Sequence, residues 1–332
     1  MKRILACALV TGLQFSLLPA QAADANAEVK IIKKDDLLEF RIGDAIVSRY
    51  HVGEGVAKPY FWPLNAPGDV PVTRGWPMVT GEPMETHDHV HQKSAWFCHG
   101  DVIPEGIELK RRVKGVEGVD FWSEAAGHGR IVCVEVGEPK LGKDSASVPT
   151  RNEWRTAEGV KILDESRAIT LKPVAEGRLF ILDIDLHASA CPITFGDTKE
   201  GSMGVRVIDQ MTVKNGGMFV NAAGKRGEKD VWGYPSDWVD YTGTVNGKPV
   251  GIAIFDDPEN QYRACWHSRE YGLSAANPFG RAKSGFPAQK GKSELVKLAR
   301  GEHLKLRYGI LVHSGDTQAG KVAEAYQVFT KK

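Results

Sequence analysis

The stretch "RLFILDIDLH", residues 178–187, is the clearest secondary-structure signal in this chain. Apolar residues occupy every second position, namely Phe180, Leu182, Ile184 and Leu186. Successive side chains of a β-strand point to opposite faces of a sheet, so the alternation predicts a strand with one buried face. We expect the polar residues between them, Asp183, Asp185 and His187, to be solvated on the other face.

The same alternation recurs along the chain, in "GRIVCVEVGE", "GSMGVRVIDQMTV", "VGIAIFDD" and "HLKLRYGILVH". Glycine (36 residues) and proline (17 residues) are frequent, and turn signals such as Asn246-Gly247 separate the runs. This pattern predicts an all-β protein, a large antiparallel two-sheet sandwich with a concave face, formed as a single domain over residues 27–332. The polar stretch "EPKLGKDSASVPTRNEW", residues 138–154, is expected to form a loop.

One helix is predicted, at the C-terminus. In "TQAGKVAEAYQVF", residues 317–329, apolar residues recur at helical spacing, and Asp316 stands where a cap is expected. We expect this short helix to pack against the sandwich.

The first 22 residues have the pattern of a secretory signal peptide. Lys2 and Arg3 precede an apolar run that ends in a small-residue cleavage site at Ala22. Cleavage leaves 310 of the 332 residues and changes the formal net charge from +1 to about −1, because both charged residues removed are basic. We therefore expect a periplasmic or secreted protein.

Charge and hydropathy exclude two classes of partner. A near-neutral chain with mixed charges lacks the basic patch that nucleic acid requires. After the signal peptide no apolar run is long enough to span a bilayer, so membrane insertion is not expected. Four cysteines remain, Cys98, Cys133, Cys191 and Cys265, and they can form disulfides or stay as isolated thiols.

The densest motif is "METHDHVHQKSAWFCHGDV", with four histidines in thirteen positions, 87 to 99. On a strand, residues two apart lie roughly 6.6 Å apart on one face, so a pair can share a divalent metal ion but three in a row cannot. The metal hypothesis is His89 and His91 with a third ligand such as His99 or Asp101. A second interpretation makes His91 a proton carrier, and a third leaves the histidines in a polar loop.

The segment before this motif, "KPYFWPLNAPGDVPVTRGWPM", contains five prolines and is expected to form a rigid loop rather than a central strand. Its aromatic residues and guanidinium suit a sugar or carboxylate pocket. We assign substrate-binding roles to Tyr60, Arg74 and Trp76, and to Trp96 beside the histidines. Packing of this loop on the sheet is the alternative.

The second dense motif is "CWHSREYGLSAANPFG", residues 265–280. His267, Arg269 and Tyr271 alternate, so on a strand their side chains share one face. They combine a base, an anion-binding group and a phenol, and we predict catalytic roles for them together with His91. Asn277 opens a turn and is predicted to bind substrate.

These motifs resemble those of the DUF6807 family, whose members are often labelled "methane oxygenase PmoA". The resemblance rests on "KPYFWPLNAPGDVPVTR", "DHVHQKSAWFCHGDV", "GIAIFDDPEN" and "WHSREYGLSAANPFG". Val90 stands where the family usually has proline, and His87 is an extra histidine. The resemblance implies a mutarotase-like supersandwich and a place among carbohydrate-degrading systems. We reject the interpretation as a methane monooxygenase subunit. Such a subunit is embedded in the membrane, and after the signal peptide this chain has no apolar run long enough to span one.

Taken together, the sequence leads us to expect a carbohydrate-active enzyme that cleaves a glycoside by hydrolysis or β-elimination. A divalent metal ion is its expected cofactor if His89 and His91 act as ligands. Two alternatives come from other classes: a non-catalytic carbohydrate-binding protein and a secreted metal-binding protein.

Overall fold

The computed structural model describes residues 27–81 and 85–331. The predicted signal peptide lies outside these residues and stays a prediction. No helix in the described ranges is both long and apolar enough to cross a membrane.

Strands make up most of the structure. The first seven are β1 (Val29–Lys33), β2 (Leu37–Ile42), β3 (Ala45–His51), β4 (Tyr60–Ala66), β5 (Val70–Pro71), β6 (Ala95–His99) and β7 (Val102–Pro104). The next seven are β8 (Arg130–Val136), β9 (Lys140–Leu141), β10 (Ala146–Arg155), β11 (Lys161–Val174), β12 (Gly177–His187), β13 (Ile193–Phe195) and β14 (Gly201–Arg206). The last seven are β15 (Met218–Asn221), β16 (Trp238–Val245), β17 (Lys248–Asp256), β18 (Cys265–Trp266), β19 (Leu273–Asn277), β20 (Val296–Leu298) and β21 (His303–Ser314).

The strands form two large antiparallel sheets. The front sheet has the order β1-β2-β3-β4-β6-β14-β19-β18, with β5 beside β4. The back sheet has the order β15-β16-β17-β21-β12-β11-β10-β8, with β9 beside β10. A small sheet, β20-β13-β7, lies apart from them. Helices are short, α1 (Gly227–Val231) and α2 (Val322–Thr330). The prediction of an all-β, two-sheet protein with a short C-terminal helix is confirmed.

The core lies between the two sheets. Phe40 and Phe61 of the front sheet contact Phe180 of the back sheet, with ring centroids 5.4 and 5.2 Å apart. Phe180 belongs to the apolar face that the alternation of residues 178–187 predicted. Phe97 of β6 meets Trp154 and so extends the same core across the next strands.

A polar network is buried inside this core. Glu165 of β11 accepts hydrogen bonds from Arg167 (2.6 Å), Trp154 (2.7 Å) and Asn152 (3.2 Å). Arg167 also donates to the hydroxyl of Tyr50 in the front sheet. The buried charges are therefore paired, as burial in a low dielectric requires.

Three sequence expectations about elements were wrong or incomplete. Residues 60–66 form a strand despite Pro63, and the β3–β4 register shifts beside it, so the missing N–H interrupts no regular ladder. Residues 146–154, expected in a loop, belong to the ten-residue strand Ala146–Arg155. Helix α2 begins only at Val322, because Asp316 caps the preceding turn through Gln318 and Ala319.

The four described cysteines are all free, and three of them are buried. The isolated-thiol interpretation therefore holds for Cys98, Cys133, Cys191 and Cys265, and no disulfide joins them.

Candidate functional site

The outer face of the front sheet gathers residues from both dense motifs. Residues paired directly across antiparallel strands share a face. One such row runs across five strands: His51, Tyr60, Trp96, Gly204 and Ala275. His267 extends the row, since it exchanges two backbone hydrogen bonds with Ala275. The alternate residues Phe61 and Phe97 face the core, so the row faces outward.

His267 is held in one tautomer. Its Nδ1 lies 3.0 Å from the carbonyl oxygen of Lys199, which can only accept a hydrogen bond. Nδ1 therefore carries the proton and Nε2 keeps a lone pair. Burial and the nearby charges of Lys199 and Arg269 lower the pKa of His267 to about 3. At neutral pH this imidazole is uncharged, as a base requires.

Arg269 and Tyr271 stay on the same side as His267. Arg269 pairs with Leu273 through its backbone, two positions along the hairpin from the His267–Ala275 pair. Its guanidinium lies 3.2 Å from Glu228, and its side chain is 32% exposed. Tyr271 sits in the turn of the hairpin rather than on a strand. Burial raises the pKa of Tyr271, which keeps the phenol protonated.

Residues 85–94 form a loop that carries His87, His89 and His91. This histidine loop lies over the hairpin of residues 267–275. The ring of His89 stacks on Tyr271, with centroids 5.2 Å apart and planes within 2°. The guanidinium of Arg206 lies 4.6 Å from the centroid of the Tyr271 ring. His89 also lies close enough to His267 to lower its pKa. The structure thus brings the motifs around residues 90 and 270 together.

His91, which is half-buried, is the second imidazole of the site. Its ring lies 5.8 Å from that of His89 and 6.5 Å from that of Trp122. Burial and the charges of Lys58 and His89 lower the pKa of His91 to about 3. Two neutral imidazoles, those of His91 and His267, therefore flank His89.

One carboxylate anchors the loop. Asp88 accepts hydrogen bonds from Arg74 (2.5 Å) and Arg206 (2.8 Å). Burial by itself raises the pKa of Asp88, but the two guanidinium groups hold it at about 2. Arg74 is fully buried and also donates to the carbonyls of Thr86 and His89. The predicted substrate contact of Arg74 does not fit these bonds, and we assign Arg74 the positioning of the loop.

The side chains of two other predicted substrate-binding residues are occupied by contacts within the chain. Trp96 is 1% exposed and lies beneath Trp122, with ring centroids 5.0 Å apart. Asn277 is also 1% exposed; its amide donates to the Thr198 carbonyl and its oxygen accepts from Phe279 and Gly280. Neither side chain is free to meet a ligand.

Tyr60 and Trp76 lie at the border of the site, next to side chains that are at least partly exposed. Tyr60 stacks on His51, with centroids 4.8 Å apart, and the ammonium group of Lys93 lies 5.9 Å from the Tyr60 ring. Trp76 stacks on His87 at 5.1 Å. His87, the extra histidine, thus contributes to the rim of the site.

His99 does not join the other histidines. It is fully buried, its Nε2 lies 2.8 Å from the Gly196 carbonyl, and its ring meets Phe195 and Phe279. Within residues 27–81 and 85–331, no three histidine, cysteine or acidic side chains lie in an arrangement that could hold a metal ion. The expected set of His89, His91 and His99 is therefore not assembled.

Sequence reasoning missed three groups at the site: Lys58, Glu200 and Arg206. Glu200 interacts electrostatically with Arg269 and Tyr271, and burial raises its pKa. Lys58 is 2% exposed and donates to the Trp122 carbonyl at 2.8 Å. None of the three lies within the two dense motifs. Lys58 is the first residue of the quoted segment 58–78, and Arg206 is a charge within a predicted strand, so these two could have been suspected.

A separate depression of about 790 Å³ lies on the outer face of the back sheet. Its floor includes the small residues Ser166 and Ala168 of β11, between charged rows on neighbouring strands. Asp183, expected to be solvated, lines it and lies 3.1 Å from Arg307. None of the predicted site residues contributes to this depression.

Comparison with solved structures finds distant similarities. The GH36 alpha-galactosidase AgaA from Geobacillus stearothermophilus is 9% identical with a TM-score of 0.42, over 88% of this chain and 41% of that one. A galactose mutarotase-like protein from Clostridium acetobutylicum is 9% identical with a TM-score of 0.42, over 88% and 100%. The galactose 1-epimerase from Lactobacillus acidophilus NCFM is 8% identical with a TM-score of 0.37, over 87% and 100%.

This chain thus spans about two fifths of the length of the alpha-galactosidase. Similarities this weak carry no evidence of a shared activity. Comparison with the curated proteins gives no match. A family model described as "Family of unknown function (DUF6807)" matches residues 37–327, which is nearly the whole chain. The protein belongs to the DUF6807 family.

Proposed function

We propose that the protein is a carbohydrate-active enzyme that cleaves a glycosidic bond by β-elimination. The observation that carries this proposal is the tautomer of His267, whose unprotonated Nε2 belongs to a neutral imidazole on the outer face of the front sheet. Such a group can remove a proton from carbon. On the evidence of the predicted signal peptide, we place the activity in the periplasm or outside the cell.

The site supports elimination better than hydrolysis. Glycoside hydrolysis generally uses two carboxyl groups, one as acid and one as base or nucleophile. Asp88 is held by two guanidinium groups, Glu124 by two ammonium groups and Glu228 by Arg269, which leaves Glu200 as the one of these four carboxyl groups without such a pair. Elimination requires a base, an acid and a group that stabilises charge on the substrate oxygen.

Each of these roles has a candidate in the site. His267 takes the proton from a carbon next to a carbonyl or carboxylate. Arg269 faces the negative charge that develops on that oxygen. Tyr271 or Glu200, both with raised pKa values, gives a proton to the departing sugar oxygen. The half-buried Trp76 offers an aromatic surface at the rim.

The test is turnover of a glycan panel by the mature chain and by the His267→Ala variant. Elimination leaves an unsaturated sugar, which ultraviolet absorbance and mass spectrometry detect. We expect turnover to fall about 10²- to 10⁴-fold, with ligand affinity within about tenfold. His303→Ala, a histidine exposed on the back sheet, is the matched control and should keep full activity.

Two outcomes would replace this proposal. Sugar binding without turnover across the panel would favour a carbohydrate-binding protein. A hydrolysed product without a double bond would favour hydrolysis.

The metal hypothesis has its own test, elemental analysis of the purified protein and of the His89→Ala/His91→Ala double variant. Loss of a bound ion in the variant would support a metal at this pair, and equal metal content would leave proton transfer alone. Ion affinity without sugar affinity would support the metal-binding alternative.

A further inference from the structure

We propose that the sugar bound beside His91 carries a negative charge, either a carboxylate or a sulfate ester, and that Lys93 binds it, with the buried charge of Lys58 beneath. This inference rests on the proposed function, because it names the charge of the substrate at the same site.

The first argument is the ratio of charges around Glu124. The ammonium group of Lys93 lies 2.8 Å from the Glu124 carboxylate, and that of Lys58 lies 3.7 Å from it. Two ammonium groups therefore share one carboxylate, the only acidic group of the described residues that forms an ion pair with either of them. On the back sheet, by contrast, Arg151 has a carboxylate of its own, that of Glu135 at 2.7 Å.

The second argument is burial. The side chain of Lys58 is 2% exposed, and those of Lys93 and Glu124 are 18% and 16% exposed. Water screens such charges poorly, so the ammonium group of Lys93 acts strongly on a nearby ligand. Lys93 and Glu124 are the members of the cluster that solvent, and hence a ligand, can reach.

The position of the lysines places the anionic group next to His91. Lys58 lies close enough to His91 to lower its pKa, and it donates to the carbonyl of Trp122, whose ring contacts His91. Ammonium groups act as point charges and do not select the planar geometry of a carboxylate. A carboxylate and a sulfate ester are therefore both accommodated, and binding data must separate them.

The test is calorimetric binding of paired sugars to the full mature chain carrying His267→Ala, which prevents turnover. The pairs are glucuronic acid against glucose, galacturonic acid against galactose, and glucose 6-sulfate against glucose. We expect at least one acidic sugar to bind about tenfold or more tightly than its neutral partner, with a preference that falls as salt is raised. Preference for the uronates or for the sulfate identifies the anionic group.

Two substitutions act in opposite directions. Lys93→Met should remove most of the preference for the acidic sugar over its neutral partner. Glu124→Gln should raise affinity for the acidic sugar several-fold, because it removes the carboxylate that competes for the lysines. Lys297→Met, at an exposed lysine of β20, is the control and should change neither affinity.

The inference is overturned if neutral sugars bind as tightly as the acidic ones, if no acidic sugar binds, or if Lys93→Met and Glu124→Gln leave the preference unchanged. This failure differs from failure of the proposed function. Elimination of a neutral glycan would retain the enzyme and reject the charged substrate. Binding of an acidic sugar that depends on Lys93, without turnover of any glycan, would retain the charged ligand and reject the enzyme.

Discussion

At the scale of single residues, His267 and His91 owe their chemistry to their surroundings. A free imidazole titrates near neutrality, but burial together with adjacent cations favours the uncharged form. In His267 a backbone carbonyl also selects the tautomer. The motif placed the right residue types together, but only their surroundings in the fold keep both imidazoles uncharged over a wide pH range.

The pH dependence of turnover tests this assignment. A base must be unprotonated, so activity falls as pH falls through its pKa. Since the pKa of His267 is lowered from 6.5 to about 3, kcat/KM should stay flat from neutral pH down to about pH 5. Stopped-time assays with circular dichroism at each pH separate loss of activity from unfolding. An acid limb centred near 6.5 would contradict an uncharged, buried His267.

Gly204 is the residue that lets Trp122 lie over the front sheet. A Cβ at this position would lie 2.9 Å from an atom of the Trp96 ring and 3.1 Å from one of Trp122. Gly204→Ala should therefore cost about 1–3 kcal/mol and weaken ligand binding by moving Trp122. Urea unfolding and calorimetry measure the two effects. Gly55→Ala, where a Cβ meets nothing within 4 Å, should change neither.

At the scale of elements, segments with clear apolar alternation were predicted correctly, and the polar segments were not. Strand β12 forms where period-two alternation was clear, since its apolar face is buried whichever strands lie beside it. Strand β10 was missed because its outward residues are polar and its buried face includes Thr150 and Asn152. The prolines likewise led to a wrong prediction of a loop at β4, where a register shift accommodates Pro63.

Helix α2 covers the apolar part of the back sheet's outer face. Phe329 is fully buried there, and its ring lies 5.7 Å from that of Phe255. Phe329→Ala should lower the free energy of unfolding by about 3–5 kcal/mol, because it leaves a cavity under the helix. Urea denaturation measures this cost. Gln327→Ala, on the exposed side of the same helix, should change it by about 0.5 kcal/mol or less.

At the scale of the whole molecule, the two sheets are joined by a polar network as well as by apolar packing. Glu165 balances the charge of Arg167, and Arg167 reaches Tyr50 in the opposite sheet. Both charged side chains are at most 1% exposed. An ion pair this deep is tolerated because Glu165 accepts three hydrogen bonds and Arg167 donates to both Glu165 and Tyr50.

Glu165→Gln should lower the free energy of unfolding by about 3–5 kcal/mol, because Arg167 then remains buried without a counter-charge. Glu165→Gln/Arg167→Met should recover part of the loss, and urea denaturation measures both. Glu135→Gln, in an exposed ion pair with Arg151, is the control and should cost about 1 kcal/mol or less. A single variant as stable as the wild type would show that the buried pair is dispensable.

The sequence by itself determined the all-β architecture, the C-terminal helix and the two motifs that meet at the site. These depend on local periodicity and on clustered residue types, which need no knowledge of distant contacts. Only the tertiary structure decided which side chains are available. It buried Arg74, Trp96, Asn277 and His99 in contacts with their own chain, and it added Lys58, Glu200 and Arg206 from remote segments. The physical reason is that burial and partner charges arise from long-range packing, so the same residue type can be a base, an anchor or a core residue.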